Sequence, residues 1–421
     1  METVLLNKDE YINYTEKNNA HFLESYEWGE VSKVRGLKPY YLGLKDNNKI
    51  VASALLLKKS LPLNYSYFYI PRGFTIDYNN YDLIKIFTNE IKRFVKEKKG
   101  IFFRIDPDIK LHTIDENAEV IDGENNYKLV EELKKIGYKR KKLTKYFETM
   151  QPRFTFRIPL YDSIEEIESR YSTTNIQRIK KSEKYGVYVE VGKKEDIKEF
   201  IRLMRMTEKR QNFYSHTEEF YNKFYEEFIK NNHVTLYLGK IDLEKISNEI
   251  SSKIKKLKEE LESIKDIDSK KANSRKKEIN KELDSLLKQE EFYTDKPKEK
   301  IVVSSYLTVN YGNKSWALYA ANDMDYKNMF ANYAVYKRQI RDAKEAGLDI
   351  FDVFGTIGDP TSTSHLVGLH DFKKKWGGEY TEFIGEFDYI TNKLMYLIYT
   401  KLIPLRHKIV NKMLRHKNKG E

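Results

Sequence analysis

Two stretches of this chain share one order of apolar and polar positions. In KPYYLGLKDNNKIVASALLLKKS, residues 38–60, two apolar runs flank the polar turn Asp46-Asn47-Asn48-Lys49, which predicts a β-hairpin. A further strand follows in YSYFYIPRG. Next comes a helix with apolar residues at 83, 84, 87, 91, 94 and 95 that closes at Gly100, and then the strand IFFRID. The second half repeats the order with TLYLGK, IVVSSYLTVN, SWALYAAND, the helix NYAVYKRQIRDAKEAG and the strand LDIFDVFG.

Tyr41-Leu42-Gly43 aligns with Tyr237-Leu238-Gly239, and FRIDP with FDVFG, so the chain reads as two copies of one α/β unit. The four-residue turn of the first copy then corresponds to everything from about Lys240 to Lys300 in the second. That insertion includes KISNEISSKIKKLKEELESIK. Its apolar residues Leu243, Ile246, Ile250, Ile254, Leu257, Leu261 and Ile264 mostly follow three/four spacing, and Ile279, Leu283 and Leu286 resume it after SKKANSRKK, which reads as the polar turn between two helices. The pattern predicts two helices folded back as an antiparallel coiled-coil arm; an oligomer seam is the competing reading of the same stripe.

Composition narrows the chemistry. A length of 421 residues favours two domains, and a net charge of +12 spread along the chain favours anionic partners such as RNA, phosphorylated substrates or an acidic membrane surface. The absence of cysteine removes disulfides, thiolate nucleophiles and Cys-ligated zinc, and fits an intracellular protein. The stretch LMYLIYTKLIPL is broken by Lys401 and Pro404 well short of the about 18 apolar residues that a membrane span needs, so a soluble or at most peripheral protein is expected. The histidines show no metal-binding spacing. His365 and His370 read as loop or surface residues, and no metal or cofactor is expected.

The order of elements fits a GCN5-related N-acyltransferase-like fold. Neither copy, however, carries the glycine-rich turn that cradles the pyrophosphate of acyl-CoA, which points to a different acyl donor. At finer grain, WGEVSKVRG (28–36), YIPRGF (69–74), FRIDPD (103–108), QPRFTFRIPL (151–160), TEKRQNFYSHTEEFY (207–221) and FDVFGTIGDPTSTSHLVGLHDFKKKWGGEYTEFIGEFD (351–388) follow one another in a fixed order. These blocks resemble those of the Fem-type (FemABX) aminoacyltransferases that build peptidoglycan interpeptide bridges, and the arm is similar to that of the FemA/FemB/MurM-like members.

The resemblance implies an α/β (α+β) chain with a first acyltransferase-like domain over 1–150 and a second over 151–390. The arm over 241–299 is inserted in the second domain, and a basic amphipathic helix covers 391–421. It implies transfer of an amino acid from aminoacyl-tRNA to an amine of the precursor's stem peptide, with lipid II or UDP-MurNAc-pentapeptide as acceptor and peripheral contact with the inner membrane face. The resemblance assigns Lys33 and Arg210 to the acceptor's phosphates, Lys373 to the donor ester and its oxyanion, Asp106 to the general base, and Tyr69 and Arg72 to the acceptor groove. It also marks one departure, Trp376 where the family usually has Phe. An acyl-CoA donor, or a non-enzymatic RNA-binding or scaffold role for the arm, stays open, as do the transferred amino acid and the oligomeric state.

Overall fold

The computed structural model describes residues 1–146, 150–211, 215–296, 298–361 and 366–402. In chain order, β1 (Glu2–Leu5), β2 (Lys38–Asp46), β3 (Lys49–Ser60), β4 (Ser66–Ile70) and β5 (Gly100–Ile105) build a first sheet. The chain then crosses to a second sheet for β6 (Lys110–Ile114) and β7 (Val120–Asn125), and returns for β8 (Tyr138–Arg140). The second sheet continues with β9 (Phe154–Pro159), β10 (Tyr188–Val191), β11 (Val234–Asp242), β12 (Lys300–Tyr311), β13 (Lys314–Asn322), β14 (Ile350–Asp352) and β15 (Glu379–Phe383). Finally β16 (Phe387–Ile390) inserts back into the first sheet between β5 and β8. The stretch 1–150 therefore contributes strands to both sheets, and so does the stretch 151–390.

The expected repeat is present. In each sheet a hairpin leads to a strand that pairs in parallel with the next, β4 with β5 and β13 with β14, and the helices Tyr81–Glu97 and Ala331–Glu345 make the two crossovers. The shared Tyr-Leu-Gly has a steric reason. A Cβ on Gly43 would lie 2.6 Å from Leu6 Cδ1, and one on Gly239 would lie 2.9 Å from Val335 Cγ2, so a larger residue at either place would have to displace the side chain packed over the hairpin. Each ladder also slips register within two residues of that glycine, at Leu44/Lys45 and at Gly239/Lys240.

The insertion is an arm on the β11–β12 hairpin, closed at its base where Leu243 N donates to Glu299 O at 3.0 Å. Its helices are Leu243–Ser263 and Lys270–Thr294, and Ile250, Ile254, Ile279, Leu283 and Leu286 fill the seam between them. Ser251 Oγ donates to Glu290 Oε1 at 2.8 Å and Arg275 Nε to Glu260 Oε1 at 2.7 Å, pairings that run in opposite directions and so make the helices antiparallel. The turn lies earlier than SKKANSRKK. Ser269 caps the second helix by accepting from Ala272 N at 3.1 Å, and the lysine-rich run behind it is helical because Lys, Ala and Arg are good helix formers.

Between the sheets, Phe22 and Trp28 pack with Phe220, Phe224, Phe228 and Trp316, joining the N-terminal segment to the second sheet. The returning strand β16 is held by charge. Arg104 Nε and Nη2 donate to Asp388 Oδ1 and Oδ2 at 2.6 and 2.9 Å, and Nη1 lies 3.0 Å from Glu386 Oε2. Asp388 is fully buried, so truncating its partner strands a charge in the sheet. Arg104→Ala is therefore expected to destabilise the protein by about 3–5 kcal/mol, read as a lower midpoint in thermal unfolding.

Candidate active site

Parallel pairing of β4 and β5 sets Ile70 opposite Ile105, so the turns that leave the two strands meet. Three of the predicted residues converge there. Tyr69 donates through its hydroxyl to Asp106 Oδ2 at 2.9 Å and Oδ1 at 3.1 Å, and the backbone N–H of Arg72 donates to Oδ1 at 2.8 Å. Arg72 aims that N–H inward from a left-handed conformation, φ 57°, ahead of Gly73 at φ 91°. Burial pushes the Asp106 carboxyl up to about 7, and the Arg72 charge and these hydrogen bonds only partly offset it. The Arg72 guanidinium lies over the Phe383 ring at 4.7 Å and donates to Pro152 O at 3.2 Å, which ties the cluster to the second sheet.

Lys373 occupies the last turn of the helix Val367–Lys374. Its ammonium is buried and donates to Phe354 O at 2.5 Å and Gly355 O at 2.8 Å. Burial pushes it down to about 7 against the opposing pull of Asp352. Trp376, the departure from the family pattern, is wholly buried among Tyr171, Tyr333, Tyr336 and Phe372 and packs this helix end onto the second sheet. His370, expected as a loop or surface residue, is buried between Phe156 and Tyr380, with Nδ1 3.1 Å from Thr356 Oγ1; His365 lies outside the described residues. Among the described residues no group of three or more acidic or histidine side chains could hold a metal ion.

A buried ion network that the sequence did not reveal links the Asp106 turn to the strand before Lys373's carbonyl partners. Asp352 Oδ2 accepts from Arg157 Nε at 3.0 Å; Arg157 Nη2 donates to Asp108 Oδ1 at 2.5 Å; Lys314 Nζ donates to Asp108 Oδ2 at 2.9 Å. Burial alone would raise Asp108, but Arg157 and Lys314 outweigh it and hold its carboxyl well below the ordinary range. Asp352 Oδ1 also accepts from Phe354 N at 2.8 Å, which fixes the turn whose carbonyls receive Lys373. Only Asp108 lay in a quoted block beside a predicted residue; nothing local distinguishes Arg157, Lys314 or Asp352 from other charges in strands.

Lys33 and Arg210 stand apart from these buried groups. Lys33 is half exposed and pairs with Glu30 at 2.6 Å, while Arg210 is exposed in the last turn of the helix Ile197–Gln211. That helix packs on Glu218–Ile229, which in turn packs on Tyr26–Ser32 and the Lys33–Arg35 turn, so the two cations stand on elements joined through one helix. Burial pushes the His216 imidazole down to about 4, and the charge of Arg35 adds to the effect.

Two strand-exchanged α/β units of acyltransferase type, with a buried carboxyl and a buried amine at their junction, define the class of the fold. The same fold is found in the crystal structure of FemX, with a TM-score of 0.76 and 24% sequence identity over 94% of this chain and 99% of that one. The chain belongs to the FemAB family, whose pattern matches residues 6–403. It is similar to the lipid II:glycine glycyltransferase of Staphylococcus epidermidis, 28% identical over 419 residues that cover 96% of this chain and 95% of that one. It is likewise similar to the lipid II:glycine glycyltransferase of Staphylococcus aureus, 27% identical over 421 residues, 96% of each chain.

Because the Tyr69 hydroxyl stabilises the ionised form of Asp106, its removal raises that carboxyl further above about 7. Tyr69→Phe should shift the Asp106 carboxyl resonance titration to higher pH in carbon NMR. An unchanged or lower midpoint would contradict the hydrogen-bond geometry.

Proposed function

We propose that this protein is an aminoacyltransferase of peptidoglycan bridge synthesis, which moves an amino acid from aminoacyl-tRNA onto the stem-peptide amine of lipid II at the inner membrane face. The observation that carries the reading is that a chain of the FemAB family holds a buried carboxyl, Asp106, under the donors of Tyr69 and Arg72, and a buried amine, Lys373, on two backbone carbonyls, each pushed by burial to about 7. An aminoacyl ester is already activated, so the protein has to hold an amine against the carbonyl, take up one proton and stabilise the oxyanion. The amine attacks the ester carbon while Asp106 takes its proton; the oxyanion is stabilised by the Lys373 ammonium; the carbon–oxygen bond of the ester then breaks as the amide forms, and the ribose oxygen leaves as a hydroxyl with the proton returned from Asp106. Tyr69 and Arg72 hold Asp106 in position, and Lys33 and Arg210 supply cations for the acceptor's phosphates.

A donor other than acyl-CoA is supported by the start of the helix Ala331–Glu345. There Phe330 takes the left-handed conformation and the preceding Lys327-Asn328-Met329 offers no glycine-rich cradle. The arm carries 13 lysines and arginines against 12 acidic residues over 243–294, and its lysine runs at 253–258 and 270–277 offer a large polyanionic donor a contact remote from the ester.

The two buried groups fix the pH profile. Asp106 must be ionised, so activity rises as pH increases through about 7, and Lys373 must be charged, so activity falls as pH increases beyond about 7. With charged tRNA and lipid II supplied, kcat/KM should follow a narrow bell centred near neutrality. Asp106→Asn and Lys373→Ala should each lower kcat by about 10²–10³-fold, while Lys373→Arg should lose the alkaline limb. Lys33→Ala and Arg210→Ala should mainly raise the acceptor KM. Mass analysis of the stem peptide reads the product, and an increment obtained from acyl-CoA instead of charged tRNA would reject the donor assignment.

Replacing residues 243–293 with a short turn should weaken tRNA binding in a filter assay while leaving vesicle binding intact. Unchanged tRNA affinity would assign the arm to another partner.

A further inference from the structure

One end of the first sheet carries an apolar and basic surface that the transfer chemistry does not use. Strand β2 begins there and β3 ends there; β4 and β5 begin there; β16 ends there. Four connections therefore emerge together: the Lys33–Arg35 turn before β2, the Leu61–Tyr65 turn after β3, the Lys96–Lys99 segment before β5, and the helix Lys393–Leu397 after β16. Leu63, Tyr65, Lys96, Lys99, Thr391 and Asn392 line one hollow, which makes the leucine turn and the helix start neighbours.

Leucines project from this end. Leu63 sits at the tip of its turn in the left-handed conformation, φ 58°, and is 83% exposed; Leu394, Leu397 and Leu402 are 68%, 52% and 52% exposed. Bulky residues seldom adopt that conformation, and here it holds an apolar side chain in water. The C-terminal helical segment turns its aromatic side inward. Tyr396 and Tyr399 pack on Phe102, Tyr399 also on Tyr67, and the Tyr396 hydroxyl donates to Asp388 at 2.7 Å, so the leucines are left on the outer side. Lys96, Lys99, Lys393 and Lys401 are exposed beside them and make no ion pair among the described residues; Glu97 is the single acidic residue in 61–65, 96–99 and 391–402.

We propose that this end of the first sheet docks on the surface of an anionic lipid bilayer. The leucines enter below the headgroups and the lysines meet the lipid phosphates. Isolated leucines interspersed with unpaired lysines match an interface that is apolar inside and anionic at its rim. The inference deepens the reading of a lipid-linked acceptor. Lys59 Nζ lies 3.5 Å from Arg35 O, which ties the Lys33–Arg35 turn to this same end, whereas Asp106 leaves the opposite end of β5. The six residues of β5 span roughly 20 Å. A precursor whose phosphates lie at Lys33 by the membrane would therefore extend its stem peptide about one strand length to reach Asp106.

The test uses the full chain with sedimenting vesicles of phosphatidylcholine alone or with phosphatidylglycerol. The wild type should bind the anionic vesicles and not the neutral ones. Leu63→Glu/Leu394→Glu/Leu397→Glu should lose binding by at least about tenfold, and each of Lys96→Gln, Lys99→Gln, Lys393→Gln and Lys401→Gln should lower it roughly fivefold. Because the chain has no cysteine, Leu63→Cys and Leu394→Cys accept a single environment-sensitive fluorophore, whose emission should shift to the blue on anionic vesicles. Transfer to a soluble nucleotide-linked acceptor reports that the glutamate variant is folded. Vesicle binding unchanged in the variants, or no blue shift, would overturn the proposal. So would light scattering that shows a dimer which the glutamates dissociate. Vesicle binding without any transfer to lipid II would reject the functional reading and leave the docking surface standing.

Discussion

The buried chain of charges from Asp352 through Arg157 and Asp108 to Lys314 is the interaction on which the junction between the two sheets depends. Asp108 follows β5 of the first sheet, while Arg157, Lys314 and Asp352 belong to β9, β13 and β14 of the second. Desolvating four charges costs several kcal/mol each, and that cost is recovered only where every carboxylate oxygen has a close cation or donor, as here. Such a network tolerates little sliding, because a shift of an ångström or two leaves a charge without its partner. It therefore fixes the register in which the Asp106 turn faces the second sheet more sharply than the surrounding aromatic packing, which accepts a range of contact geometries.

Against that frame the two reactive groups are set differently. Asp108 and Asp352 are each matched by cations, whereas Asp106 is buried with hydrogen-bond donors but no ion pair, and Lys373 is buried against two neutral carbonyls. Burial thus dominates at Asp106 and Lys373 and moves both toward neutrality, one up and one down. The contrast separates Asp108, whose carboxyl its cations hold well below the ordinary range, from charges able to exchange a proton at physiological pH. On the proposed reading that is the requirement for taking a proton from an amine while keeping an ammonium near the oxyanion.

Much of this was legible in the sequence because it is local. The repeat of hairpin, strand, helix and strand follows from period-two and period-3.6 patterning, and the arm from a long stripe bounded by strand signals. Asp106, Tyr69 and Arg72 were singled out by the resemblance and not by any pattern, and their convergence comes from the parallel pairing of β4 and β5. Two features were not legible for one reason. The insertion of β16 into the first sheet and the crossing of β6 and β7 into the second depend on partners far away in sequence, such as Arg104 for Asp388 and His112 for Glu382. No periodicity encodes which sheet a short strand joins. The arm's turn was placed too late because its lysines look like loop residues until Ser269 is seen capping a helix.

Strand exchange has a consequence for how the molecule works as one body. Were each sheet built from one continuous stretch, the two units could hinge about a single linker, and a groove between them would open and close. Here the chain crosses between the sheets after β5, after β7, before β9 and before β16, and the last crossing is clamped by Arg104 on Glu386 and Asp388. Hinge motion between the sheets would have to break the ion pairs of Asp108 with Arg157 and Lys314. The architecture therefore favours a rigid junction with mobile recognition parts outside it, and the arm suits that role, since among the described residues it is tied to the body by the β11–β12 hairpin and the residues packed at its base. On the proposed reading, a donor recognised far from its reacting end is captured by the arm without disturbing the geometry around Asp106 and Lys373.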